Sequence, residues 1–255
     1  MLEPCKNCGL PVEGDFCSNC GQKVIRKRLT VQNLLQETFN VITNIEKGFW
    51  YTTHMLFKNP GELVRNFLSG ATVRIFNPFR FLIIWMSVMV FLNLSLNILE
   101  KSIASFNEWN AGNGNEQINL TEDMLKQANK VMEYMPLITL IYIPFIALFS
   151  WLLFKKENYN FAEHVVANTY FYTAASIINL LWFILYLLAP ITIIGSQFLN
   201  GLVLLIYFTL AFKSWFQIKW RTSIWKTILV FLGSQACFSI LAVIGTIIWK
   251  TLQSL

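Results

Sequence analysis

Hydrophobic and polar positions divide this chain into three unequal parts. Beyond residue 78, apolar residues dominate five stretches, 79–98, 136–154, 165–188, 190–212 and 227–249. A soluble helix keeps a polar stripe for water, and these stretches have none. Each is long enough to cross the ~30 Å hydrocarbon core of a bilayer as a helix. Between residues 30 and 57 the pattern changes. Val31, Leu34, Leu35, Phe39, Ile42 and Ile45 recur at helical spacing, with Gln32, Asn33, Gln36, Glu37 and Asn40 largely opposite. That periodicity predicts an amphipathic helix too polar to span. A second short helix starts at Asn59-Pro60, carries Glu62 in its first turn and breaks at Gly70. Such helices can pack on a bundle, but the pattern favours placement in the headgroup plane. The domains read as 1–28, 29–76 and 77–255.

Capping signals set several boundaries. Asn77 before Pro78 is an N-cap followed by proline in the first turn. Asn160 and Glu163 have capping-box spacing. Thr121 caps a short helix, 122–134, in the connection between the first two spans. Pro190 forces a tight turn between the third and fourth.

Composition supports the membrane reading. Of 255 residues, 55% are hydrophobic and 13% charged, the latter about half the usual share. Lys and Arg then give the orientation. Ten precede the first apolar core, from Lys6 to Arg80, whereas Lys101, Lys126 and Lys130 in the next connection face six acidic residues. Later connections alternate in the same way: Lys155 and Lys156, then none, then Lys213, Lys219, Arg221 and Lys226, and finally Lys250 in the tail. The positive-inside rule places the N-terminus in the cytoplasm and the C-terminus outside. The first residues lack the basic and apolar regions of a signal peptide, so the N-terminus is expected where it was made.

The first part carries the strongest chemistry. Cys5-x2-Cys8 and Cys17-x2-Cys20 are two CxxC pairs, each followed by a glycine, Gly9 and Gly21. Paired knuckles aim four thiolates at one tetrahedral zinc, and glycine permits the tight turn beneath the metal. So short a segment cannot bury a core, so one structural Zn2+ per chain must supply its folding free energy. Disulfides need an oxidising compartment, and the charge count puts this segment on the reducing side. Cys237, in the last span, reads as a packing residue.

Arg26, Lys27 and Arg28 follow the cysteines. Without interleaved aromatics for base stacking, they argue against nucleic acid and for attraction to anionic lipid. Together with Arg65, Arg74 and Arg80, and with Glu163 and His164 at the mouth of the third span, they are candidate lipid or headgroup contacts. No Asp, Glu, Lys or Arg lies near the centre of a span, and no acidic residue follows Glu163. Proton relays and ion-coupled transport normally leave such a group. Paired aspartates, an HExxH motif and an intramembrane Ser/His arrangement are also missing, so an enzyme is not expected.

The stretches CKNCG and FCSNCGQK, NPGELVRNFLSG, FNPFRFL and EHVV resemble an uncharacterised bacterial family, the domain of unknown function numbered 3667. That resemblance implies an N-terminal zinc ribbon joined to a multi-span domain. It covers residues 5–164, and the last two spans only by hydropathy. The family tends to carry a basic pair after the glycine near position 70, where this chain has only Arg74. The bundle is also loosely similar to Yip-type membrane proteins, which have five spans. The expected protein is an all-α integral membrane protein of five transmembrane helices, preceded by a zinc ribbon and amphipathic interfacial helices. It would lie in the cell membrane as a non-enzymatic adaptor or scaffold, with membrane lipid and a cytoplasmic or membrane protein as partners. The alternative is a small transporter or lipid-handling permease.

Overall fold

The computed structural model describes residues 3–24, 48–112, 121–188 and 193–253. Arg26, Lys27, Arg28 and the amphipathic stretch 30–47 lie outside the described residues, as does the turn at Pro190. The described chain is mostly helical, with a two-stranded antiparallel sheet at its start. Strands β1 (Glu3–Pro4) and β2 (Pro11–Val12) pair Glu3 with Val12 and Pro4 with Pro11.

Helices α1 (Phe49–Lys58) and α2 (Pro60–Leu68) follow. The side chain of Asn59 caps α2 by accepting from the Glu62 amide at 3.3 Å, and Pro60 occupies the first turn. The helix ends in a Schellman motif. Gly70, with φ of 100°, donates to Phe67 O at 3.0 Å, and Ala71 donates to Asn66 O at 3.0 Å. Helix α3 (Pro78–Ser95) starts at the expected cap, where Asn77 Oδ1 accepts from Phe79 at 3.1 Å and Arg80 at 3.3 Å.

A further helix, α4 (Ile98–Gly112), fills a stretch that the pattern left unassigned. Its mixed composition shows no apolar stripe of the kind periodicity detects. Thr121 caps α5 (Glu122–Glu133) through the Met124 amide at 3.3 Å. Helices α6 (Met135–Leu153), α7 (Phe161–Leu188), α8 (Ile193–Phe216) and α9 (Trp220–Gln253) complete the chain. The capping box at the start of α7 forms in both directions: Asn160 N–H to Glu163 Oε2 at 2.7 Å, and Glu163 N–H to Asn160 Oδ1 at 2.9 Å. Helix α9 begins seven residues before the apolar stretch and runs 34 residues, about 50 Å at 1.5 Å per residue.

Among the described residues, Pro78–Ser95, Met135–Leu153 and Trp220–Ile244 are long and apolar enough to cross a membrane. Most of their side chains lie outside the core, with Phe91 67% and Leu232 63% exposed. In water such a surface would be costly, whereas lipid covers it at no penalty. Helix α7 is the centre of the packing. It contacts α2, α3, α6 and α8, and Ala167, Tyr170, Phe171 and Ala174 are fully buried. That central position explains why its first half tolerates Glu163, His164, Asn168 and Thr173: protein surrounds them.

One end of the bundle is built from aromatic rings. Phe154 after α6 stacks on Phe216 at the end of α8, 4.2 Å between centroids, and Trp215 stacks on Phe216 at 4.2 Å. His164, at the start of α7, meets Trp215 edge-on at 5.0 Å. Lys226 in α9 donates to Leu153 O at 2.7 Å, with its ammonium 4.4 Å from the Phe154 ring. The ends of α6 and α8 and the starts of α7 and α9 therefore meet at one level.

Helices α1 and α2 join this same end. Leu56, Leu63, Val64 and Phe67 are buried in the main core, so the apolar face assigned from sequence to the headgroup plane is here covered by α7 and α8. The reason lies in Gly61, where a side chain would collide with the backbone of Ser214 and Trp215. Without one, α2 approaches α8 closely enough for Gly61 N–H to reach Ser214 Oγ at 3.2 Å.

Candidate metal centre and its attachment to the helices

The two CxxC knuckles fold alike. In the first, Cys5 N–H donates to Leu10 O at 2.7 Å and Gly9 N–H to Cys5 O at 2.8 Å; in the second, Cys17 donates to Gln22 O and Gly21 to Cys17 O, both at 2.8 Å. Gly9 and Gly21 have φ of 77° and 70°, the left-handed region that side chains disfavour. Each knuckle turns its two sulfurs toward the other. Cys5 and Cys20 Sγ lie 3.6 Å apart, as do Cys8 and Cys17, and all four lie within 4.8 Å of one another.

These distances fit a metal and not disulfides. A disulfide needs ~2.05 Å between sulfurs, and none of the four cysteines is disulfide-bonded. Four thiolates at 2.3 Å from a tetrahedral ion stand about 3.8 Å apart. Electrostatics within the cluster point the same way. The Asn7 side chain and the Gln22 backbone N–H pull the Cys20 thiol down to about 6. At Cys8 the Leu10 backbone N–H acts in that direction too, but desolvation and the Cys17, Cys20 and Cys5 sulfurs push it up to about 11. The backbone favours thiolate, while crowded sulfurs resist sharing negative charge. A bound cation removes that conflict.

The cluster is held to the helices by Gln22, a residue the sequence reading did not single out. Its backbone belongs to the second knuckle, and its side chain is 2% exposed. Gln22 Oε1 accepts from the amides of Thr72 at 3.1 Å and Val73 at 2.9 Å, while Nε2 donates to Gly70 O and to Thr72 Oγ1. One amide side chain thus satisfies the turn between α2 and α3. That turn continues into Phe76, whose N–H donates to Thr52 Oγ1 at 2.8 Å and whose carbonyl accepts from Tyr170 of α7. Gln22→Ala is expected to leave metal content unchanged and to raise amide exchange at Val73 by about tenfold or more. Val73 N–H would lose its acceptor, at ~1–3 kcal/mol, while Thr72 N–H keeps Gly70 O at 2.9 Å. Hydrogen-exchange mass spectrometry on the full chain checks this.

The other predicted contacts do not gather into one site. Arg65 Nη1 donates to Ser214 O at 2.6 Å and Trp215 O at 2.9 Å, where a cation favours the carbonyl end of α8. Arg74 is exposed, and its carbonyl packs under Gly48, where a Cβ would lie 2.6 Å from the oxygen. Arg80 is half-buried, with Nη2 buried and without a hydrogen-bond partner. Glu163 is buried in the capping box. His164 is fully buried, with Nδ1 at 2.8 Å from Ser150 Oγ.

Ser150 Oγ also lies 3.0 Å from Ala147 O and accepts from Asn168 Nδ2 at 2.9 Å. Its one hydrogen can serve the carbonyl or the imidazole, so the network accommodates either tautomer of His164. His164 Nε2 is buried and has no hydrogen-bond partner.

The described chain is thus a mostly helical protein with helices able to cross a membrane and a cysteine cluster able to hold a metal ion. Residues 46–90 match the family described as Protein of unknown function (DUF3667), in agreement with the resemblance read from NPGELVRNFLSG and FNPFRFL. The matched block comprises α1, α2, the turn that receives Gln22 and most of α3. No curated protein and no solved structure matches the chain.

Proposed function

We propose that this chain is a non-enzymatic adaptor, set in the cell membrane by five helices, whose cytoplasmic ribbon holds one zinc ion and meets a protein partner. The observation that carries this reading is the Gln22 clamp. A ribbon on a flexible tether would need no buried side chain in the turn before α3. A clamped one is a fixed platform at the membrane surface. The ribbon keeps Leu10 48% and Phe16 62% exposed, apolar side chains that a partner could cover. Zinc fits four thiolates at tetrahedral spacing.

Helices α7 and α8 have 28 and 24 residues, enough for two further crossings. The aromatic end, where α6 and α8 finish and α7 and α9 begin, is what an up-and-down bundle requires. With the basic connections on that side, the N-terminus is cytoplasmic and the C-terminus outside. A reporter active only outside the cytoplasm should then work after Leu255 and fail at Met1. Activity at both ends, or only at Met1, would overturn the five-span topology.

Against the expectation that no intramembrane Ser/His arrangement exists, Ser150 Oγ and His164 Nδ1 lie 2.8 Å apart; both side chains are fully buried, and the adaptor reading takes the pair as packing. For the adaptor reading, Phe16→Asp is the test. Cross-linking of the full-length protein in membranes should lose one specific protein adduct in the variant, with zinc content unchanged. An unchanged adduct pattern would overturn it. The second reading, a lipid-handling permease, is favoured by a cavity among α6, α7, α8 and α9.

A further inference from the structure

Helix α3 keeps one face free of the core. Ile83, Ser87, Val88 and Phe91 are exposed along it. They stand at i+3, i+7, i+8 and i+11 from Arg80, so Arg80 heads the same stripe. The helix has 18 residues, about 27 Å at 1.5 Å per residue, close to the thickness of the hydrocarbon core. Arg80, in the first turn, therefore stands where the headgroups begin. A neighbouring helix marks the same level. Phe49 of α1 meets Phe81 at 5.3 Å and stacks on Trp85 at 5.7 Å, and the next residue, Trp50, is 77% exposed. Exposed tryptophan belongs to the interface between lipid and water.

The guanidinium at this level has no counter-charge. Among the described residues, the Arg80 side chain makes no hydrogen bond and no ion pair; Nη2 is enclosed, whereas Nε and Nη1 are accessible. Arg65, by contrast, serves the carbonyls of Ser214 and Trp215. An unpaired cation at the edge of hydrocarbon is unfavourable, and the planar fork of arginine suits a phosphate. Side chains on a helix lean toward its N-terminus. Here that direction carries the guanidinium toward the headgroups and leaves its stem along the apolar surface. Arg80 is also half-buried, unlike exposed Arg74, so its charge is held at one place on the stripe.

We infer that Arg80 binds the phosphate of one phospholipid through Nε and Nη1, with an acyl chain lying along Ile83, Val88 and Phe91. This rests on the reading that α3 crosses the cell membrane from the cytoplasmic side. A free phosphate shares the head chemistry, but the exposed apolar stripe below Arg80 favours the lipid.

The test uses delipidated full-length protein in detergent, with bound lipid counted by native mass spectrometry. One dioleoylphosphatidylglycerol should be retained per chain, about tenfold or more over dioleoylglycerol, which has the same chains and no phosphate. Arg80→Gln should cut retention about tenfold. Arg80→Lys, which keeps the charge and loses the fork, should retain an intermediate amount, and Arg74→Gln should retain as much as the unaltered chain. Equal retention of dioleoylglycerol would show a purely apolar contact and overturn the inference. So would retention unchanged in Arg80→Gln, or an equal loss in Arg74→Gln, which would mean diffuse charge only. Displacement of the lipid by excess inorganic phosphate would make this a free-anion site and overturn the lipid assignment. The reporter fusions at Met1 and Leu255 test the topology separately, so its failure and the failure of this site are told apart.

Discussion

Cys17→Ser is expected to release the metal ion and unfold residues 3–24 while the helices remain folded. The ribbon has almost nothing else to hold it: its buried cluster is Cys5, Val12 and Cys17, with Cys8, Cys20 and Val24 partly buried against it. For the zinc ion proposed above, structural sites contribute about 10–16 kcal/mol of apparent binding free energy at neutral pH, far more than three small side chains can. Elemental analysis should fall from about one zinc per chain to none. Limited proteolysis should then cut at Lys6 or Lys23. One tightly held ion in the variant would refute the four-cysteine site. Acid should act in the same direction. In the metal-free cluster Cys8 holds its proton to about 11 and Cys20 loses its own near 6. Binding at neutral pH must therefore displace the Cys8 proton, and the metal-free state holds more protons than the bound one. Affinity should fall as pH drops from 8 to 6, measurable by competition with a chelator.

Gly61→Ala should lower the thermal midpoint of the purified protein more than Gly112→Ala at the end of α4. A Cβ at this position meets the backbone of Ser214 and Trp215, and backbone, unlike the tip of a side chain, cannot swing away. Helices α2 and α8 would have to separate. That would weaken the Gly61 N–H bond to Ser214 Oγ, the Ser214 Oγ bond to Asn59 Oδ1 at 2.7 Å, and both Arg65 bonds. Overpacking alone costs ~1–3 kcal/mol. Gly112→Ala is the control, because a Cβ there meets nothing within 4 Å. Equal midpoints for the two variants would show that the close approach of α2 to α8 carries no stability.

The clamp and this close approach belong to one arrangement. Gln22 holds the ribbon to the turn after α2, and Gly61 and Arg65 hold α2 to the end of α8. Gly48, at the start of α1, packs on Arg74 in the same turn. The ribbon, the short helices and the bundle thus share a continuous set of contacts. In the adaptor proposed above, that continuity would transmit a partner's position to the helices.

Local chemistry made much of this legible in advance. Side chains at Asn77, Thr121, Asn160 and Glu163 cap their helices as their spacing predicts, because a cap depends only on residues two or three positions away. The four cysteines converge for the same reason: two tight knuckles are local, and Gly9 and Gly21 permit them. Hydropathy likewise located α3, α6 and α9, since lipid rewards apolar length whatever the packing. Tertiary structure alone decided the rest. Gln22 is an ordinary polar residue in sequence, and its meaning comes from Thr72 and Val73, about fifty positions away. Arg65 and His164 carry groups that suit lipid headgroups, yet one serves the carbonyls of α8 and the other is sealed among aromatic rings. Gly61 shows no local need for glycine at all, because its constraint is the backbone of Ser214. Periodicity and caps report what a segment can do with its neighbours in the chain; which distant surface a face or a side chain meets is decided only when the helices pack.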